Sequence, residues 1–164
     1  FDIEKLTWLN GLYIREMNED QLVDRLEGWL VNRDFLKTLA PLIQERIDRL
    51  DQFLDSTTYF FGPTTSLDAE ALIPKKLDKK TTYRMVKALV EKVDNIRRWD
   101  RETIEAMLRE HAENDQWGMR EVFMTTRLIV TGRKATPGLF ETMEVVGKSL
   151  CQARFRHAML TLRP

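Results

Sequence analysis

The sequence has little of what marks several common protein classes. Its single cysteine, Cys151, excludes an internal disulfide and gives no metal-ligand spacing, so a reducing, cytosolic setting is the default expectation. Seven glycines and five prolines are few for a fold with many tight turns, which disfavours a β architecture. No apolar run approaches the roughly 20 residues of a membrane span, and no signal-peptide pattern is present.

Catalytic motifs are missing as well. There is no phosphate-cradling Gly-rich loop, GxSxG, HExxH or cysteine pair in the sequence. The two histidines are not spaced for a metal, and His111, among glutamates, is predicted to be a solvated helix residue. The apolar spacing around Cys151 predicts a small core residue and not a nucleophile. The residues alone therefore predict a binding module without catalytic or metal site.

The charge of the chain is zero overall but unevenly distributed. Residues 1–76 carry 9 Lys and Arg against 14 Asp and Glu, a net of −5, and residues 77–115 carry 9 of each. Residues 116–164 carry 8 against 3, a net of +5. An excess of positive charge in one part of a chain points to a polyanionic partner. Chance clustering on solvated helix faces explains the same pattern equally well.

Apolar residues recur at helical spacing along most of the chain, which predicts an all-α protein of about eight or nine short helices. Asp2 is predicted to cap the first helix, and Asn18 with Gln21 the second. A third helical stretch is predicted over about 35–53, with Pro41 near a helix start. Between Ser56 and Lys80 the periodicity fails, which predicts a linker and a domain boundary near Leu77. Farther on, Thr103 is predicted to cap a helix, and Thr136-Pro137 to begin one.

Three segments of the chain resemble one known protein family. The opening FDIEKLTWLNGLYIRE has Phe-Asp, Lys-Leu, Trp, Asn and Tyr-Ile-Arg at that family's spacing. IQERIDRLDQFLDSTTYFF is similar to the family's stretch that leads to a Phe-rich turn. RLIVTGRKATPGLFETMEVVGK is similar to the family's Arg-x-x-x-Thr-Gly, Pro-x-Leu-Phe-Glu and Gly-Lys elements. The similarity covers about the first 16 residues, 44–62 and 127–148, and the chain departs from the family after Lys148.

The resemblance implies the all-helical C-terminal part of a bacterial-type glutamate–tRNA ligase, a cage of two consecutive small helical bundles that grips the anticodon loop of tRNA-Glu. Residues 1–17 would end the stem-contact region, and 18–76 and 77–164 would form two anticodon-binding subdomains. The family's ATP-handling signatures are absent and are expected to precede this piece. ATP and Mg would then serve the parent enzyme, and no cofactor, DNA or membrane partner is expected for this chain, which is expected to be monomeric and cytoplasmic.

The same resemblance implies a reader for the third anticodon base. Arg46 falls where family members that accept only tRNA-Glu carry an arginine for that base. Cytosine presents two acceptors, O2 and N3, whereas guanine presents N1–H and N2–H donors that a guanidinium cannot accept. Arg46 would therefore favour Glu anticodons, which end in C, over Gln anticodons, which end in G, by on the order of 1–3 kcal/mol.

Further site residues lie in the third segment. Arg127 resembles the family arginine that approaches the first two anticodon bases. The loop and helix start against which those bases would rest comprise Thr136, Pro137, Leu139 and Phe140, although its helical spacing also places Phe140 in the core. Arg133 and Lys134 are predicted phosphate contacts, which give affinity and salt dependence without reading sequence.

Other interpretations of the sequence stay open. Arg46 could be a surface arginine in a weak pairing with Glu45 and Asp48 on its own helix. The whole chain could be a helical protein–protein interaction module of a bacterial cytosolic protein, which the acidic first part would fit. It could also be a free-standing tRNA-binding relative with the same fold and an altered duty.

Overall fold

The computed structural model describes residues 2–30, 32–62, 67–114 and 117–164 of the 164-residue chain. Within those ranges the regular structure is entirely helical, which confirms the predicted all-α class. None of the described helices is long and apolar enough to cross a membrane. Ten α-helices are described: α1 Ile3–Glu16, α2 Glu19–Leu30, α3 Arg33–Ile43, α4 Gln52–Thr57, α5 Ala69–Leu72, α6 Lys79–Asn95, α7 Arg101–Asn114, α8 Met119–Thr131, α9 Leu139–Val146 and α10 Lys148–Thr161.

Two compact units make up the chain, residues 1–40 and 41–164. The division falls within α3, and residues on both sides of Leu77 belong to the second unit. Residues 63–66, part of the predicted linker, lie outside the described residues. The division into 1–17, 18–76 and 77–164 concerns subdomains of a longer protein and stays a prediction.

The first unit begins its helices with the predicted caps. Asp2 Oδ1 accepts a hydrogen bond from the Lys5 backbone N–H at 3.0 Å. Asn18 Oδ1 accepts from Gln21 N at 2.9 Å, and Gln21 Oε1 accepts from Asn18 N at 3.1 Å. This reciprocal pair satisfies two backbone donors that a helix start otherwise leaves open. Both predicted caps are confirmed.

Pro41 lies inside α3 and not near a helix start, so its predicted position is wrong. It stands in the last turn, where proline removes one intrahelical hydrogen bond, and α3 ends two residues later. The chain continues as a 3-10 turn over Gln44–Arg46, and the next helix, α4, begins only at Gln52. The helical stretch predicted over 35–53 is therefore broken in two. The break releases residues 44–51 from the helix and turns Arg46 to the surface.

The core of the second unit forms where α6 packs on α10, α7 on α8 and α9, and α8 on α10. Trp99 connects the segment between α6 and α7 to α9, because its indole Nε1 donates to the Met143 backbone oxygen at 2.9 Å. Side chains that are at most 1% exposed fill the interior: Met85, Val86, Leu89, Val93, Ile104, Leu108, Val122, Ile129, Val130, Met143, Cys151, Phe155, Ala158 and Leu162. The unit is a helical frame on which short loops can be held firmly.

His111 and Cys151 both belong to this core. The prediction of a solvated His111 is wrong, because Ile104, Leu108 and His111 share one face of α7 and His111 is fully buried. Cys151 is also fully buried, as predicted. Burial raises the pKa of its thiol from 9.0 to about 12, and the nearby Arg154 charge opposes that shift only in part. The thiol is therefore protonated at neutral pH and is not a nucleophile.

Candidate functional site

The end of α8 presents a short connecting loop, residues 132–138, which we call the site loop. Gly132 ends α8 in the left-handed conformation, φ 69°, and its N–H donates to Leu128 O at 2.8 Å. A glycine suits this position because it has no Cβ to clash. The Thr131 hydroxyl then accepts from the Arg133 N–H at 3.1 Å and fixes the first step of the loop. The turn at Gly132 thus separates α8 from the site loop.

Arg127, on the last turns of α8, holds the far end of the site loop. Its Nη1 donates to the backbone oxygens of Thr136 at 3.3 Å and Pro137 at 2.9 Å, and to the Thr136 hydroxyl. Its Nε and Nη2 form no hydrogen bond with any residue that the structure describes. Burial lowers the pKa of the half-buried guanidinium, and the positive charge of Arg46 lowers it further, against an opposing effect of Tyr59. Nη1 of the guanidinium therefore holds the loop, while Nε and Nη2 can donate to a ligand.

Arg133 fastens the near end of the site loop to α4 and to the segment that follows it. Its guanidinium carbon lies 5.5 Å from the centre of the Tyr59 ring, a cation–π arrangement. Its Nη2 donates to the Thr58 hydroxyl at 3.2 Å and to the Asp55 backbone oxygen. The predicted phosphate contact of Arg133 stays a prediction, and the structure gives the side chain a first role in positioning the loop.

Arg46 stands beside the site loop with an exposed side chain. It forms no hydrogen bond or ion pair with any described residue, so the alternative pairing with Glu45 or Asp48 is not formed. Its positive charge is close enough to lower the pKa of Arg127. Beside Arg46 lies a cavity of about 130 Å³, and Arg127 adjoins it through its bonds to Thr136 and Pro137. The cavity is lined by Ile43, Arg46, Ser56, Tyr59, Arg133, Ala135, Thr136 and Pro137.

The remaining predicted residues differ in their burial and in whether they line the cavity. Thr136 is half-buried and Pro137 is buried, and both line the cavity. Leu139 is 4% exposed and belongs to the core. Phe140 is half-buried and packs edge-on against Phe123 with ring centres 5.4 Å apart. The structure thus brings Arg46, Arg127, Thr136 and Pro137 to one surface and sets Leu139 and Phe140 beneath it.

Two details of this region differ from the sequence prediction. The helix does not begin at Thr136-Pro137 but at Leu139, after Gly138 in the capping position. Pro137 therefore lies outside the first turn and its backbone oxygen is available to Arg127. Lys134 is exposed and points away from the cavity, toward a separate groove that contains Leu128.

Arg154 is a contributor that the sequence analysis missed. It is 2% exposed, and its Nη2 donates to Tyr59 O at 2.5 Å and to Gly62 O, while Nη1 donates to Val130 O. A buried cation requires such partners, and here three backbone oxygens supply them. It therefore braces Tyr59, a wall of the cavity, against the end of α8. The helical spacing of Cys151, Phe155 and Ala158 with position 154 could have placed it on the buried face of α10.

The described residues offer no group of three or more His, Cys, Asp or Glu side chains that could hold a metal ion. The cavity is bordered by the guanidinium groups of Arg46 and Arg133. A guanidinium is a planar group with donors only, which suits carbonyl, ring-nitrogen and phosphate acceptors. Arg127 already takes the backbone oxygens of Thr136 and Pro137, so the surface favours an acceptor-rich partner.

Comparison with known proteins gives this surface a context. Residues 21–159 match the family model described as "Anticodon binding domain". The glutamate–tRNA ligase of Pseudomonas paraeruginosa is 30% identical over 159 residues, which cover 97% of this chain and 32% of that protein. The glutamate–tRNA ligase of Stutzerimonas stutzeri is 29% identical with the same coverage. The chain spans about a third of the length of the relatives that it matches.

Two solved structures share the fold. A glutamate tRNA ligase from Elizabethkingia meningosepticum, crystallised with its amino acid, superposes with a TM-score of 0.71 and 24% identity over 99% of this chain and 33% of that one. A glutamate-tRNA synthetase from Elizabethkingia anophelis superposes with a TM-score of 0.65 and 23% identity over 98% and 32% of the respective chains. At these identities the likeness is evidence for the fold alone.

Proposed function

We propose, because the chain belongs to the anticodon-binding domain family, that the surface formed by Arg46, Arg127 and the site loop binds the anticodon loop of a tRNA. One observation carries the proposal: an exposed and unpaired Arg46 lies across a small cavity from the loop end that Arg127 holds. Anticodon loops present unstacked bases whose edges are open to such donors.

The size of the cavity suggests how a base would be held there. About 130 Å³ is below the several hundred Å³ of pockets that enclose small ligands. The cavity therefore suits the edge of a base better than a whole base. Arg46 at its rim would meet the O2 and N3 acceptors of cytosine and would leave the N1–H and N2–H donors of guanine unpaired. This chemistry favours tRNA-Glu over tRNA-Gln.

The other residues would divide the work around Arg46. The free Nε and Nη2 of Arg127 would meet acceptors of the neighbouring bases, and Thr136 and Pro137 would form the surface against which those bases rest. Leu139 and Phe140 would support that surface from beneath, since both are withdrawn into the packing. Lys134, exposed on the same loop, would contact phosphate.

The longer protein to which the chain corresponds is part of the proposal. Because the relatives are about three times as long and are glutamate–tRNA ligases, we propose that the parent attaches glutamate to tRNA-Glu. ATP and magnesium would serve that reaction in the remainder of the protein, and no residue of this chain is proposed to hold them. The cytoplasmic setting and the monomeric state stay predictions from the sequence.

The test uses anticodon stem–loop RNAs that differ only in the third anticodon base, C or G. The wild-type chain should bind the C-ending RNA about tenfold more tightly, and Arg46→Gln should lose most of that preference. Arg97→Gln, an exposed arginine outside the site, is the matched control and should keep the preference. Equal binding of both RNAs by the wild type, or an unchanged preference in Arg46→Gln, would contradict the proposal. In the full-length parent, the same variant should charge tRNA-Gln with glutamate more readily.

A second candidate function, a protein-interaction module, is favoured by a feature of the first unit. On α1 the side chains of Leu6, Trp8 and Tyr13 are 52%, 59% and 64% exposed. Large apolar side chains left open in this way often mark an interaction surface. A salt-sensitive gel shift with tRNA-Glu separates the two functions, because a pure protein-interaction module would give none.

A further inference from the structure

A second groove beside α8 carries a further inference. It has a volume of about 500 Å³ and lies between the 70–76 segment, residues 120–128 of α8 and the site loop. Its volume falls in the range of pockets that bind small ligands, unlike the smaller cavity at Arg46. We call it the lateral groove, and its lining consists of Glu70, Ala71, Leu72, Ile73, Pro74, Lys75, Lys76, Arg120, Glu121, Met124, Thr125, Leu128 and Lys134.

The inner wall of the lateral groove is apolar and fixed in place. Leu72 is 2% exposed, and its backbone oxygen accepts a hydrogen bond from the buried Thr125 hydroxyl at 3.3 Å. This bond joins α5 to α8, so the wall is formed before any ligand arrives. Met124 is 37% exposed and offers a flexible, polarisable side chain to the opening, which can adapt to the face of a ligand. Such a wall suits the face of a planar, weakly polar group.

The rim of the groove is positively charged. Lys75, Lys76, Arg120 and Lys134 lie around it, all with exposed side chains, against the two carboxylates of Glu70 and Glu121. Glu121 is already neutralised in part, since its Oε1 lies 3.8 Å from Lys76 Nζ and its side chain is only 12% exposed. Two positive charges are left in excess beside an apolar wall. This combination complements a ligand with a planar face and an anionic end.

The lateral groove is continuous with the surface already described, because the site loop borders both. Lys134 lines the groove, whereas its neighbours Arg133 and Ala135 line the cavity at Arg46. Leu128 of the groove directly follows Arg127 on α8. An RNA strand bound at the cavity would therefore have only the site loop to cross before it reached the groove.

We propose that the lateral groove takes an unpaired nucleotide of the same RNA strand, next to those bound at the Arg46 cavity, with its base on the Met124 wall and its phosphate at Lys134. The proposal rests on the function proposed above and extends it to a nucleotide that flanks the anticodon. A base packs well on apolar or planar side chains whatever its identity, so this pocket adds affinity without reading sequence.

The test places a charge in the groove and follows one base at a time. A series of anticodon stem–loop RNAs carries 2-aminopurine at a single loop position on either side of the anticodon. Met124→Asp should weaken binding about tenfold and should remove the fluorescence change at one flanking position. Leu160→Asp, an equal charge change at a 62% exposed apolar residue of α10, is the matched control and should leave both unchanged. Lys134→Gln should reduce the slope of log K against log salt by about 0.7.

The outcomes separate this proposal from the one on which it rests. If Arg46→Gln loses its base preference but Met124→Asp binds RNA as Leu160→Asp does, the groove serves another occupant, such as a peptide, and the inference is overturned. If the wild-type chain binds no RNA, both proposals fall. Circular dichroism of Met124→Asp should match the wild type, because this side chain is open to solvent.

Discussion

Three arginines of the second unit are held in three different ways, and their surroundings decide what each can do. Arg46 is exposed and pairs with none of the residues that the structure describes, Arg127 uses one nitrogen of its fork to hold the site loop, and Arg154 is buried with three backbone oxygens. Only the first two keep donors for a ligand. In the sequence, helical spacing groups Arg154 with the apolar Cys151, Phe155 and Ala158, but no comparable pattern distinguishes Arg46 from Arg127.

Arg154 offers a prediction about stability. Arg154→Met keeps the length of the side chain but leaves the backbone oxygens of Tyr59, Gly62 and Val130 without their donor. Each unsatisfied buried acceptor is unfavourable, so the free energy of unfolding should fall by about 2–3 kcal/mol. Urea denaturation followed by circular dichroism measures this change. Arg163→Met, at an exposed arginine, should stay within about 0.5 kcal/mol of the wild type, and an equally small loss in Arg154→Met would refute the bracing role.

At the scale of elements, the helix caps show where local rules suffice. The caps at Asp2 and Asn18 are set by residues within three positions of each other, and sequence reasoning found both. The cap predicted at Thr103 is three residues late, because Asp100 accepts from the Thr103 N–H at 2.9 Å and α7 begins at Arg101. Asp100 and Thr103 both suit an N-cap, and the sequence does not say which of the two side chains accepts the backbone N–H of the first turn.

Longer-range features were beyond those local rules. The place of Pro41 in the last turn of α3 and the burial of His111 both depend on how the surrounding helix is packed. The site shows the same division. The resemblance named Arg46, Arg127, Thr136 and Pro137, which the structure brings together, but the bonds from Arg127 to the loop, the separate direction of Lys134 and the brace at Arg154 arise from tertiary contacts.

The site loop is the element whose order the proposed binding most needs. Arg127→Ala removes the hydrogen bonds to Thr136 and Pro137 and should free the far end of the loop. We expect RNA affinity to fall about tenfold or more, through both lost contacts and lost preorganisation, with little change in helical circular dichroism. Arg127→Lys should recover only part of the affinity, because an ammonium lacks the planar fork. A matching loss of helical signal would instead assign Arg127 to the fold alone.

At the scale of the whole molecule, several basic side chains of the last third are bound to oxygen atoms of the protein itself. Lys148 Nζ donates to the backbone oxygens of Asp94 at 3.1 Å and Ile96 at 2.7 Å, at the end of α6. Arg156 pairs with both carboxylate oxygens of Asp94, at 2.9 and 3.0 Å. Arg154 is buried as well, so three of the eight basic residues after position 115, Lys148, Arg154 and Arg156, form internal contacts. The net charge of +5 counted over residues 116–164 therefore overstates the positive electrostatic field that a partner meets.

This correction leads to a prediction about salt. If all eight basic residues of the last third met phosphates of a single-stranded loop, log K would fall against log salt with a slope of about −5.6. Around the two sites the structure leaves five cations for that purpose, Arg46, Lys75, Arg120, Arg127 and Lys134. The two other cations there are held by the protein, Lys76 by Glu121 and Arg133 by Asp55 and Thr58. The slope measured by RNA titration over a range of potassium chloride should thus be no steeper than about −3.5. Arg156→Gln should leave the slope unchanged, because the positive charge of Arg156 is already paired with the Asp94 carboxylate. A steep slope that Arg156→Gln reduces would mean that the polyanion meets the α10 face directly, and the surface around Arg46 would no longer account for binding.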